Sequence, residues 1–144
     1  LVKWLLLVYK ISPDPSARRV YIWRKLKRLG AVILHDSVWV LPANLRTREQ
    51  FQWLAAEIIE MGGEALLWEG QLVLAGQEEP LKQQFIAQVD RAYAEILADL
   101  PNPEADLAAL ARKYQQARLE DYFESEMGRT VRNALLAAGG RVEQ

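Results

Sequence analysis

The chain contains no cysteine and a single histidine, His35. Disulfides, thiolate metal centres and cysteine nucleophiles are excluded together, and a His-rich metal site with them. No long apolar run is present either. The longest, Trp4 to Tyr9, falls far short of the roughly 20 residues that a membrane helix needs. No cleavage region of a signal peptide accompanies it, so a cytoplasmic location and no membrane partner are expected. Repeats, low-complexity stretches and phosphate-cradling Gly-rich loops are also missing. With 51% apolar and 26% charged residues in 144 positions, wholesale disorder is excluded and one domain with a helical appendage is expected.

Net charge is nearly absent, at −1, but only by cancellation. Residues 1–48 carry ten basic residues against Asp14 and Asp36, a surplus of eight. Residues 49–144 carry eight basic and 17 acidic residues, a deficit of nine. Sorting of this kind points to a polyanionic partner or to self-association. An acidic back half folded over the basic front would inhibit polyanion binding.

What is present reads as alternating elements. Val2–Tyr9 is a β-branched and aromatic run of strand length. Asp14-Pro15 has the form of an N-cap followed by Pro at the first helical position, and Gly30 closes the helix after Leu29. Ala31–Leu34 and Val38–Leu41 predict two short strands joined by His35-Asp36-Ser37. Thr47 with Gln50 has the spacing of a capping box for a helix to about Met61, which Gly62-Gly63 ends. A fourth strand is expected at Ala65–Trp68, with an extension at Gln71–Leu74. This order predicts an α+β fold: a ferredoxin-like βαββαβ antiparallel sheet over residues 1–76. A C-terminal extension of long α-helices follows over 77–144, its stretches at Glu79–Leu100 and Glu104–Ala138. Asn102 and Pro103 are expected to start the second stretch, which breaks near Ser125.

Both faces of the expected sheet are apolar: Leu5, Leu7 and Tyr9 on one side of the first strand, Trp4, Leu6 and Val8 on the other. The motif's two helices cover one face only, so the helical extension or a second copy is expected on the other; a homodimer is favoured.

The first helix carries the chemistry. Helical periodicity puts Val20, Ile22, Trp23, Leu26 and Leu29 on its buried side, and Arg18, Tyr21, Arg24, Lys25 and Arg28 on the opposite one. Guanidinium forks on an exposed face suit phosphate oxygens, and Arg46 and Arg48 lie close enough in sequence to extend the surface over several phosphates of DNA. A merely solvated face is the plainer alternative, but it usually mixes charge signs, and no acidic i+4 partner occurs here. Arg19 falls inside the apolar arc. It joins Lys10 and Arg18 in a candidate anion pocket at the helix start, or pairs with a carboxylate such as Asp36. His35-Asp36 lacks a nucleophile to complete a triad and is read as a turn. The acids Glu120, Asp121, Glu124 and Glu126 lack the glycine and ligand alternation of a Ca²⁺ loop and are read as a solvated junction. No metal, no cofactor and no catalysis are expected.

Taken together, Lys3-Trp4-Leu5-Leu6-Leu7-Val8-Tyr9-Lys10-Ile11, Pro15–Val20, Trp23–Ala31 and His35–Pro42 resemble the N-terminal region of the bacterial chromate-resistance regulator family ChrB. So do Arg48–Leu54, Gly62–Ala65, Arg112-Lys113-Tyr114 and Asp121-Tyr122-Phe123. The resemblance implies a transcriptional regulator of a chromate-efflux operon that binds promoter DNA and responds to chromate as effector. Family regulators carry a further C-terminal domain. A dimerisation scaffold whose DNA reading lies elsewhere is the alternative, and so is a small-oxyanion sensor. More distantly, the pattern is similar to the ferredoxin-like central domain of the phenylacetate repressor family and to the small CRISPR-adaptation nuclease. In that nuclease a metal-holding Asp ends the first strand; Lys10 stands there in this chain, which disfavours metal-dependent cleavage.

Overall fold

A computed structural model describes residues 1–139; the last five residues of the expected helical extension lie outside the described residues. Elements follow in the order β1 (Trp4–Lys10), α1 (Ser16–Arg28), β2 (Val32–His35), β3 (Val38–Pro42), α2 (Leu45–Glu60), β4 (Glu64–Gly70), α3 (Glu78–Asp99), α4 (Leu107–Leu119) and α5 (Glu126–Ala137). Two compact units result, Leu1–Glu78 and, among the described residues, 79–139.

In the first unit the four strands form one antiparallel sheet of order β2-β3-β1-β4, the ferredoxin-like arrangement. The two central strands, β3 and β1, are almost wholly apolar, as strands paired along both edges require. Its register sets Leu5 against Leu41 and Leu7 against Trp39, all four buried. Ile22 and Leu26 of α1 and Phe51, Leu54 and Ile58 of α2 are also buried. Opposite them on the sheet, Trp4 and Val40 are buried, whereas Leu66 and Trp68 of β4 are exposed.

Local chemistry shifts several boundaries. Pro15, extended at ψ 144°, takes the N-cap position of α1 itself, so Asp14 makes no cap. Helix α2 begins before Thr47. The Asn44 side chain accepts from Thr47 N at 2.8 Å and Thr47 Oγ1 accepts from Asn44 N at 2.9 Å, closing a capping box at Asn44 and Thr47 where Thr47 and Gln50 were expected. Thr47 Oγ1 also donates to Pro42 O at 2.6 Å, which fastens the helix start to the end of β3. The expected extension Gln71–Leu74 is not a strand, because β1 supplies no rung beyond Trp4 opposite Gly70. Upstream, Lys3 O is taken by Ala43 N at 2.8 Å and Val2 N donates to Glu78 at 2.7 Å.

The second unit buries Val89, Tyr93, Ile96, Leu110, Tyr114, Ala117, Val131 and Leu135 in one cluster. Asp106, not Asn102 with Pro103, caps α4: its carboxylate accepts from Ala109 N at 3.1 Å. The break near Ser125 is a polar lock. Ser125 caps α5 and donates its N–H to Asp121 Oδ1 at 2.9 Å and its hydroxyl to Asp90, while Tyr93 Oη donates to Asp121 Oδ2 at 2.8 Å. Burial first, and then the Asp121 carboxylate, holds the Tyr93 phenol well above the ordinary tyrosine pKa.

Candidate nucleic-acid interface

Helix α1 presents a wider exposed surface than its sequence periodicity suggests. Only Ile22 and Leu26 are buried within it; Val20 is 42% and Trp23 52% exposed. The expected apolar arc is therefore too broad. A thirteen-residue helix lying on a twisted sheet contacts it along a narrow stripe, and the flanks remain in water. Arg19, expected inside that arc, is exposed on the same flank as Val20 and Trp23.

Arg24 and Arg28 stand one turn apart and line a shallow groove with Ala17, Val20, Tyr21 and Lys25. Neither guanidinium has an ion pair among the described residues. Lys25, Lys27 and Arg28 occupy the last turn, where the helix dipole favours cations. The lysines also lie over rings, Lys25 at 5.6 Å from the Tyr21 centroid and Lys27 at 5.9 Å from that of Trp23.

The other candidate cations are partly engaged. Lys25 Nζ is 3.9 Å from Glu57 of α2, and Tyr21 donates its hydroxyl to the same carboxylate, which raises the Tyr21 pKa. Arg18 Nη1 donates to Met61 O at 2.9 Å, capping the end of α2. Arg48 is bound to Glu69 of β4. Arg46 lies half-buried in the first turn of α2. Glu57 was not legible as part of this surface. Its one signal is its place beside Ile58, on the flank that α2 turns toward α1.

The proposed anion pocket is not assembled as one concavity. Lys10 lines a groove with Ile59, Gly63 and Glu64; Arg19 lines another with Tyr9, Trp23, Asp36 and Trp39; Arg18 reaches Met61. Asp36 approaches His35 at 3.3 Å in the β2–β3 turn, and its positive φ of 36° marks the tight bend. Trp39 is 2% exposed, and its indole N–H has no hydrogen-bond partner among the described residues.

Charge sorting by chain position differs from sorting by fold. The unit Leu1–Glu78 holds ten basic and eight acidic residues, because α2 and β4 bring Glu49, Glu57, Glu60, Glu64 and Glu69 into it. The basic surplus is thus concentrated on α1 and not spread over the unit.

Among the described residues no three His, Asp or Glu gather as a metal-ion set, and no helix is long and apolar enough to cross a membrane. Residues 19–134 match the family model described as Protein ChrB, N-terminal. Protein ChrB of Cupriavidus metallidurans is 29% identical over 85% of this chain and 41% of its own length. The chain therefore spans about two fifths of the curated relative it matches. The family match runs from within α1 to within α5, and so through both units: this chain belongs to the ChrB N-terminal family.

Proposed function

We propose that this chain is the DNA-binding regulatory region of a chromate-resistance regulator, acts as a homodimer and has no catalytic role of its own. Family membership supports the regulatory role in chromate resistance. The observation that carries DNA binding is the exposed pair Arg24 and Arg28, without a carboxylate partner among the described residues and flanked by Tyr21 and Lys25 on one helix face. Such a face contacts phosphates and fixes orientation; it does not by itself read bases. In this reading Arg18, Arg46 and Arg48 assist, Arg18 and Arg48 by exchanging Met61 O and Glu69 for phosphate. The test is fluorescence anisotropy of the chain on its own operon's promoter fragment against a scrambled duplex. Binding to the promoter that weakens as salt rises is expected, and no binding at low salt overturns the reading.

Sensing of a small oxyanion is a second reading, favoured by Arg19, which faces a groove with the buried Trp39 and has no ion pair among the described residues. Chromate and sulfate titration of wild type and Arg19→Ala tests it. Heat uptake or release that Arg19→Ala abolishes supports it, and none from either anion ends it.

A further inference from the structure

Strand β4 is an edge of the sheet, seven residues long, with one side of its backbone unpaired by any other strand. Such an edge is an open template for another strand unless charge, proline or a bulge blocks it. None does here. Its exposed side chains on one face are Leu66, 59% exposed, and Trp68, 57% exposed. Immediately beyond lies Gln71–Leu74, a segment of strand composition that pairs with no strand among the described residues; Val73 is 93% and Leu74 63% exposed.

We propose that two copies of this chain join antiparallel along β4, centred on Leu67, to make one continuous eight-stranded sheet. This rests on the homodimer reading above and names its interface. The strand is self-complementary in that register. Leu66 of each copy lies opposite Trp68 of the other, an aliphatic–aromatic cross-strand pair formed twice by the two-fold axis. Glu64 falls opposite Gly70 and Glu69 opposite Ala65, so no carboxylate faces another. Glu69 is moreover neutralised by Arg48 on its own copy. The same direction carries Val73 and Leu74 past the start of the partner strand. There the groove of Val8, Lys10, Ile59, Glu64, Ala65 and Leu66 opens, with Ile59 56% exposed. These five exposed side chains offer on the order of 600 Å² per copy, near the lower end of the roughly 1,200–2,000 Å² total of stable interfaces when both copies are counted. A face-to-face pairing of whole sheets is less favoured, since Trp4 and Val40 on that face are already buried.

Sedimentation equilibrium of the full chain tests the proposal. Wild type is expected to dimerise, Trp68→Lys to weaken the dimer at least tenfold, and Trp53→Lys, equally exposed but on α2, to leave it unchanged. The lack of native cysteine allows a second readout that does not depend on a charged strand. Oxidation of a mixture of Leu66→Cys and Trp68→Cys copies cross-links faster than oxidation of either alone, because only the mixture sets two thiols directly opposite. A dimer that survives Trp68→Lys and shows no preference for the mixture overturns this interface and leaves the homodimer reading intact. A chain monomeric at every concentration overturns both.

Discussion

The lock between α3 and α5 makes a quantitative prediction. Gly128 lies in the first turn of α5, and a Cβ built there would stand 2.9 Å from Tyr93 Oη and 3.0 Å from Tyr93 Cε2 and Cζ. Two effects of Gly128→Ala oppose each other. Alanine restricts the unfolded chain and favours helix, which stabilises by about 0.4–1 kcal/mol. Overpacking costs about 1–3 kcal/mol where the neighbour cannot yield. Here the neighbour is held. Tyr93 is 1% exposed, stacks against Tyr114 with ring centroids 6.1 Å apart, and is pinned by its 2.8 Å hydrogen bond to Asp121. A ring that swings away breaks that bond and leaves a buried phenol unsatisfied, a further cost of about 1–3 kcal/mol. Overpacking therefore wins, and the net loss is about 1–3 kcal/mol. Urea melts followed by circular dichroism measure it directly. In a Tyr93→Phe background the ring is free of Asp121 and tilts, so the cost of Gly128→Ala falls; the double-mutant cycle gives a coupling above about 0.5 kcal/mol. A neutral or stabilising Gly128→Ala refutes the lock.

Gly63→Ala destabilises by more than about 1 kcal/mol, because its Cβ would meet Lys10 O at 2.7 Å and backbone cannot be displaced as a side chain can; a thermal melt checks it. Thr47→Ala removes the capping box and the bond to Pro42 together and costs about 2 kcal/mol, whereas Asn44→Ala costs about 1 kcal/mol, in the same assay. The Tyr93 pKa is raised on folding, so its contribution to stability is complete below the unfolded tyrosine value of 10.0 and is lost as pH rises above it. Stability against pH measured by urea melts therefore declines through the alkaline range above that value, and less steeply in Tyr93→Phe. Glu57→Gln removes the carboxylate that faces Lys25 and Tyr21 and is expected to strengthen duplex binding several-fold at moderate salt, read by anisotropy.

The βαββαβ order was legible because its signals are local. A strand-length apolar run, glycine at Gly30 and Gly62-Gly63, and helical periodicity between them each act over a few residues. What failed depended on partners. Gln71–Leu74 has the composition of a strand, yet a strand exists only where another supplies rungs, and β1 ends at Trp4. Two overlapping cap patterns compete at the start of α2; Asn44 wins because its hydroxyl-bearing mate Thr47 is also bound to Pro42. At α4, Asp106 carries the cap, and the Pro103 that pointed to an earlier start sits in the preceding turn. Helical periodicity could rank Val20 and Trp23 as apolar but not say how wide a stripe the sheet covers. The same limit applied to the candidate interface. The cations on α1 could be named from spacing, whereas the carboxylates that answer two of the candidates, Glu57 for Lys25 and Glu69 for Arg48, come from elements that only the fold brings near.

A contact of α1 with DNA through Arg24 and Arg28 is read in the dependence of duplex affinity on salt. Each phosphate contact contributes about 0.9 to the slope of log K against log salt. Arg24→Glu/Arg28→Glu is expected to lower the affinity for the promoter fragment at least tenfold and to flatten that slope by about 2, with the circular dichroism spectrum unchanged because neither side chain has a carboxylate partner among the described residues. An equal affinity and an equal slope in the folded double variant would rule out α1 as the DNA-contacting face.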